Sequence, residues 1–285
     1  MIDLSFLQKL DKLTLIIRKN LTSNYSGERR SKEIGQGLLF ADHTIYTEGD
    51  DIRHVDWKVF GRTDKLFIKR FEEERNLTVH VLVDFSGSMG FGSHKMLKST
   101  YAAMMAIGFA YIALRNNERF VLSTFDERLL TYRPKRGRRQ LAQMFDVLNN
   151  RKPKGKTSFE SSISSYKRLI DSKSLVIVIS DFLYDLDEIK NVLLKLRKNQ
   201  VKFVQVLDPV ELKLMLEGSY KLKDLETSDV LRTYISPALR KKYLRLLSKH
   251  NAAIKQLCEE TNSSFYTVST ETPIYDAFYE VLSAK

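Results

Sequence analysis

Residues 77–88 read LTVHVLVDFSGS. The stretch from Leu77 to Val83 is almost unbroken β-favouring apolar sequence, the pattern of a strand covered on both faces rather than one. It stops at Asp84, and Asp84-Phe85-Ser86-Gly87-Ser88 then forms a turn before an apolar, helix-length stretch over 95–115. Strand, polar turn, helix is one arm of a βαβ unit. The same alternation continues with a strand at Phe120–Phe125, helices at Arg139–Leu148 and near 159–170, a strand at Leu175–Ile179, a helix at Asp187–Lys198 and a strand at Phe203–Leu207. Strands separated by helix-length connections predict an α/β fold, a doubly wound and mainly parallel sheet with helices on both faces, over residues 76–285.

Two segments depart from that rhythm. Residues 210–235 alternate around Gly218 and predict an inserted hairpin; Ser236 and Pro237 then open a long helix as N-cap and first-turn proline. Residues 20–75 are polar and glycine-punctuated, predicting an irregular, partly β lobe, while residues 1–19 carry Phe6, Leu10, Leu13 and Ile17 on one face of a docking helix. Asp50, Asp51, Arg53, Asp56 and Trp57 are expected to hold the lobe to the main sheet through buried charged hydrogen bonds.

Composition excludes several classes. With 43% hydrophobic and 29% charged residues in 285, the chain has material for a large core. Its single cysteine, Cys258, permits neither an intrachain disulfide nor a thiolate cluster; a buried inert thiol and a cytoplasmic location are expected. The longest apolar run, Tyr101–Leu114, is shorter than the roughly 20 residues that cross a bilayer, so no membrane span is expected. The net charge of +12 is concentrated: residues 133–156 hold nine Lys and Arg against Asp146 alone.

The chemistry lies at the strand ends. In open α/β sheets ligands bind beyond the carboxyl ends of the strands. Asp84 ends one strand, Asp181 follows another, and Thr157 stands in a loop preceding a helix on the same side. Asp84, Ser86, Ser88, Thr157 and Asp181 make an all-oxygen donor set, which suits Mg²⁺ or another hard dication such as Mn²⁺ or Ca²⁺. Gly155-Lys156-Thr157 fails as a phosphate loop because Asn150 stands where a glycine is required, and Gly35-Gln36-Gly37 fails as a dinucleotide fingerprint at Phe40. An aspartyl-phosphate enzyme would want a second acid two residues after Asp84, where Ser86 stands.

These five residues resemble the metal-ion-dependent adhesion site (MIDAS) of von Willebrand factor A domains. Upstream, Tyr46, Gly49-Asp50-Asp51-Ile52-Arg53, Val55-Asp56-Trp57 and Glu72-Glu73-Glu74-Arg75 look like the signature of the bacterial family called domain of unknown function fifty-eight. The resemblance implies a non-enzymatic interaction protein that works with a MoxR-type AAA+ ATPase, or that machine's substrate, in chaperone-like assembly or maturation. It implies Ser86, Ser88 and Thr157 as direct or near-direct metal ligands, Asp84 and Asp181 acting through water, and a partner's carboxylate completing the ion's shell. The basic tract then reads as a docking surface with Arg136, Arg138, Arg139, Lys154 and Lys156 facing an acidic partner. Two other functions compete: a nucleic-acid binder using residues 133–156, which should be steeply salt-dependent, and a metal-dependent phosphoester hydrolase.

Overall fold

The computed structural model describes residue 10 and residues 38–73, 78–94, 96–170, 172–227 and 229–283. The chain divides into two compact units, residues 18–76 and residues 1–17 together with 77–285. The helix expected over 1–19 lies outside the described residues except for Leu10, which is helical and fully buried in the larger unit's core.

In the smaller unit, β1 (Leu38–Ile45) pairs antiparallel with β2 (Phe67–Glu73), with a bulge between Phe40 and Asp42. Between them, α1 (Trp57–Thr63) starts at Asp56, whose Oδ1 accepts from the N–H groups of Lys58 at 3.0 Å and Val59 at 3.3 Å. These bonds satisfy donors that a helix start leaves without partners. The other oxygen, Oδ2, lies 2.9 Å from His43 Nε2 and 3.4 Å from Lys69 Nζ, so one buried carboxylate ties the helix to both strands. The buried charged bonds expected of Asp51 and Arg53 are not found. Their 2.7 Å pair is local and exposed, and Trp57 is 60% exposed, because a separation of two residues closes a turn instead of bridging layers.

The larger unit is built on a six-stranded sheet. Its strands are β3 (Thr78–Asp84), β4 (Arg119–Phe125), β5 (Leu129–Thr131), β6 (Leu175–Ser180), β7 (Gln200–Leu207) and β10 (Ser264–Ser269), in the order β10-β7-β6-β3-β4-β5. All neighbours are parallel except β5, which turns back on β4. This is the doubly wound α/β fold expected from the strand and helix alternation. The inserted hairpin is formed by β8 (Gly218–Lys223) and β9 (Val230–Ile235), paired antiparallel.

Alternate residues of the central strands face opposite layers. Val79, Val81, Val83, Ile177 and Ile179 pack with α2 (Lys98–Arg115), α3 (Arg138–Asn150) and α8 (Ile274–Ser283). Leu82, Val176 and Val178 pack on the other side with α4 (Phe159–Lys167), α5 (Leu186–Leu196) and α7 (Pro237–Glu260). Each inner strand is covered twice, which explains its unbroken apolar sequence. The central helix α2 approaches closely at Gly108, where a Cβ would lie 2.1 Å from the Phe278 ring. Cys258 is buried on α7, and burial pushes its thiol up to about 12, as an inert cysteine requires. Among the described residues, no helix is long and apolar enough to cross a membrane.

From β3 the chain goes through α2 to β4 on one side; β6, on the other side of β3, leads into α5 on the opposite face. The carboxyl ends of β3 and β6 therefore flank the switch point of the sheet, where such folds open a crevice.

Candidate functional site

Asp84 and Ser180, the last residues of β3 and β6, meet at that crevice, with Asp181 the next residue along. Asp84 is fully buried. Its Oδ1 accepts from the Ser86 N–H at 2.7 Å, and its Oδ2 accepts from the Ser180 hydroxyl at 2.8 Å and from the Tyr184 hydroxyl. Tyr184 is held by stacking on Phe159, ring centroids 4.4 Å apart. Burial and then the charge of Asp84 push its phenol well up, so it stays a donor. A carboxylate offers about four lone-pair sites, so three accepted bonds leave Asp84 about one. Burial, reinforced by Asp181, lifts the Asp84 carboxyl to about 6 against the pull of these donors.

The serines form the second side. Ser86 and Ser88 stand with their hydroxyls 3.1 Å apart, and Ser88 donates to Asp181 Oδ2 at 2.7 Å. The turn between them is a short 3-10 segment, Gly87–Gly90, begun at Ser86. Thr157 comes from the loop between α3 and α4. That loop is bonded to the serine turn by Gly87 N–H to Gly155 O at 2.9 Å and Lys154 N–H to Phe85 O at 3.0 Å. Its hydroxyl is buried and has no hydrogen-bond partner. A buried hydroxyl left unpaired costs about 1–3 kcal/mol, so such an atom calls for an explanation.

Other groups stand here that sequence reasoning missed. Lys98, the first residue of α2, is a fully buried lysine whose Nζ lies 3.0 Å from Asp181 Oδ2 and 2.8 Å from Glu211 Oε1. Burial alone would lower its ammonium, but the two carboxylates outweigh that and raise it. Glu211 belongs to α6 (Pro209–Lys213), where it completes a capping box with Asp208. Burial raises its carboxyl despite Lys98. Asp208 also accepts from Ser93 N–H at 2.9 Å and Ser93 Oγ at 2.5 Å, pinning the loop after the serines. The Asp-Pro-x-Glu spacing of the capping box was readable in the sequence; the destination of Lys98 was not.

The residues present suit a hard dication. Burial first raises the Asp84 and Glu211 carboxyls, and among the described residues the one buried ammonium at this crevice, Lys98, is shared between Asp181 and Glu211. Among the described residues, no three His, Cys, Asp or Glu side chains gather into a metal cluster, so the donors on offer are hydroxyls backed by two acids. The orphaned Thr157 oxygen is the one that coordination would satisfy.

The basic tract divides. Lys135 bridges Phe120, near the amino end of β4, which puts Arg136, Arg138 and Arg139 at the end of the sheet away from Asp84. The thirteen residues of α3 then span about 20 Å before the chain reaches Lys154 and Lys156. Closeness in sequence to Thr157 misled for the arginines because a helix runs in between. The two lysines, both exposed, do stand on the site loop. Beside them, Arg151 pairs with Asp126 at 2.7 Å and lies over the Phe85 ring, lining an open groove of about 1070 Å³ with Glu127, Lys152 and Lys154.

The sequence profile of a family described as "Protein of unknown function DUF58" matches residues 42–253. An uncharacterized protein of Mycobacterium tuberculosis is 24% identical over 266 residues, covering 92% of this chain and 84% of that protein. Among solved structures, the conserved hypothetical protein BatB from Bacteroides thetaiotaomicron is similar at a TM-score of 0.46 and 14% identity, over 73% of this chain and 97% of that one. The VWA domain of SpRpn10 is similar at a TM-score of 0.44 and 9% identity, over 72% and 94%.

Proposed function

Since the chain belongs to the DUF58 family, and since its switch-point crevice gathers acids and hydroxyls, we propose that it is a non-enzymatic, metal-dependent protein-interaction module. Ser86, Ser88 and Thr157 would hold Mg²⁺, or Mn²⁺ or Ca²⁺ in its place, through their hydroxyls. Asp84 and Asp181 would act through water; for Asp84 this agrees with the single lone-pair site its three donors leave free. When bound, the dication supplies an electrophilic position for a carboxylate oxygen of the partner. The proposed partner is a MoxR-type AAA+ ATPase or its substrate, met in the cytoplasm in chaperone-like assembly.

The observation that carries this reading is the buried, unpartnered Thr157 hydroxyl, on a loop bonded to the serine turn that follows Asp84. Lys154 and Lys156 are the docking lysines in this reading, since a positive rim speeds the approach of an acidic partner. Arg136, Arg138 and Arg139 stand at the other end of the sheet, about a 13-residue helix away from that task. Titration calorimetry with Mg²⁺ tests the reading. The wild-type chain should bind one equivalent, and Thr157→Ala should lose about tenfold or more in affinity with the fold intact. Equal Mg²⁺ affinity in the two proteins would refute it.

A further inference from the structure

The hairpin β8–β9 ends on the candidate site. At its tip, the Leu225 carbonyl oxygen lies 2.4 Å from where a Gly87 Cβ would stand, and Glu226 Cα lies 3.2 Å from the same point. Only a glycine between Ser86 and Ser88 admits so close a backbone. Glu226 is half-buried there, its Cα set against the glycine that adjoins Ser88, and burial, then Asp181 and Asp224, raise its carboxyl. The tip that presents Glu226 is braced internally. Asp224 Oδ1 accepts from Glu226 N–H at 2.7 Å and Thr227 N–H at 3.2 Å, and Asp224 N–H bonds Asp229 O at 2.8 Å. Asp224 also feels the charge of Lys156, so the rim lysine suited to a partner's acid already faces one from its own chain.

The rest of the hairpin is loosely held. Of its two strands only Ile235 is buried, while Leu222, Val230, Leu231 and Tyr234 stand exposed. The connection from α6 turns at Leu214 and Gly218, both with positive φ. Such an arm is anchored at its base and at its tip, with little packed between.

We propose that Glu226 is an acidic ligand supplied by the chain itself, seated over Ser88 in the position a partner's carboxylate would take, so that the hairpin is a latch that lifts when a partner binds. The proposal rests on the metal-dependent reading above, and it adds both a donor and a competitor to that site. Loss of Glu226 should therefore weaken metal binding and, at the same time, open the metal to water and to carboxylates from outside.

Mn²⁺ is the probe, followed by electron paramagnetic resonance for affinity and by water-proton relaxation for the number of exchanging waters. Wild type, Glu226→Ala, Glu226→Gln, Thr157→Ala and the hairpin control Glu217→Gln are compared, with acetate added as a carboxylate from outside. The expected result is about a tenfold loss of Mn²⁺ affinity in Glu226→Ala and Glu226→Gln, together with higher relaxivity that acetate lowers again. Glu217→Gln and wild type should show neither effect. Unchanged Mn²⁺ affinity and hydration in both Glu226 variants, with Thr157→Ala still defective, would overturn the latch alone. Mn²⁺ binding that is indifferent to Thr157→Ala would overturn the site and the latch together.

Discussion

Replacing Lys98 with methionine removes one charge while keeping most of the stem. The side chain is fully buried and serves two carboxylates, Asp181 at 3.0 Å and Glu211 at 2.8 Å. Breaking a buried pair by deleting one partner costs about 3–5 kcal/mol, because the charge left behind has no compensation. Asp181 keeps the Ser88 hydroxyl, and Glu211 is 20% exposed and finds some water, so the lower end, about 3 kcal/mol, applies here. For a unit of this size that is a fall of about 6–12 °C in melting temperature. Thermal unfolding of Lys98→Met with chelator and with saturating Mg²⁺ measures it. The loss should be full with chelator and smaller with Mg²⁺, since a dication beside Asp181 takes over part of the lysine's role. A fall of under about 2 °C with chelator would refute the idea that this ammonium balances the crevice.

Three further outcomes follow from other parts of the structure. Gly108→Ala drives a methyl into the Phe278 ring and should cost about 1–3 kcal/mol by urea unfolding despite its better helix propensity, with Phe278→Leu in the same chain restoring part of the loss. In the smaller unit, the bond to His43, opposed by burial and aided by the Lys58 N–H, holds Asp56 down to about 2; its contribution is therefore complete above about pH 4 and lost as pH falls through about 2. The fluorescence of Trp57, the single tryptophan, should report an acid transition in that window that moves upward in His43→Ala, and coincident transitions would count against it. Neutralising Lys154 and Lys156 should slow association with an acidic partner at low salt, whereas neutralising Arg136, Arg138 and Arg139 should leave the rate unchanged by stopped-flow.

The sheet was legible because β3 and β6 are covered on both faces and so carry an apolar signature that survives without context. The acid ends of these strands were legible for the same reason: Asp84 interrupts an apolar run at the place where the chain must turn. Thr157 was reachable because a loop before a helix belongs to the same rim. Tyr184 was not, since its bond to Asp84 spans 100 positions and a tyrosine four residues after a strand end reads as ordinary core. Lys98 reads as a solvated helix start, and only the fold shows that it faces inward. Glu226 sits in a turn whose Asp and Thr look like self-contained loop chemistry, which they are; what the turn rests on depends on where the hairpin lands. The arginines of the basic tract show the converse error, in which neighbours in sequence are parted by the length of α3.

The central claim is that hydroxyls from two loops hold a dication at the switch point of the sheet. Anomalous diffraction from crystals soaked in Mn²⁺ locates such an ion directly. The expected peak lies about 2.0–2.3 Å from the oxygens of Ser86, Ser88 and Thr157, with Asp84 and Asp181 one water further out. Density at full occupancy elsewhere on the chain, with none between these three hydroxyls, would contradict it.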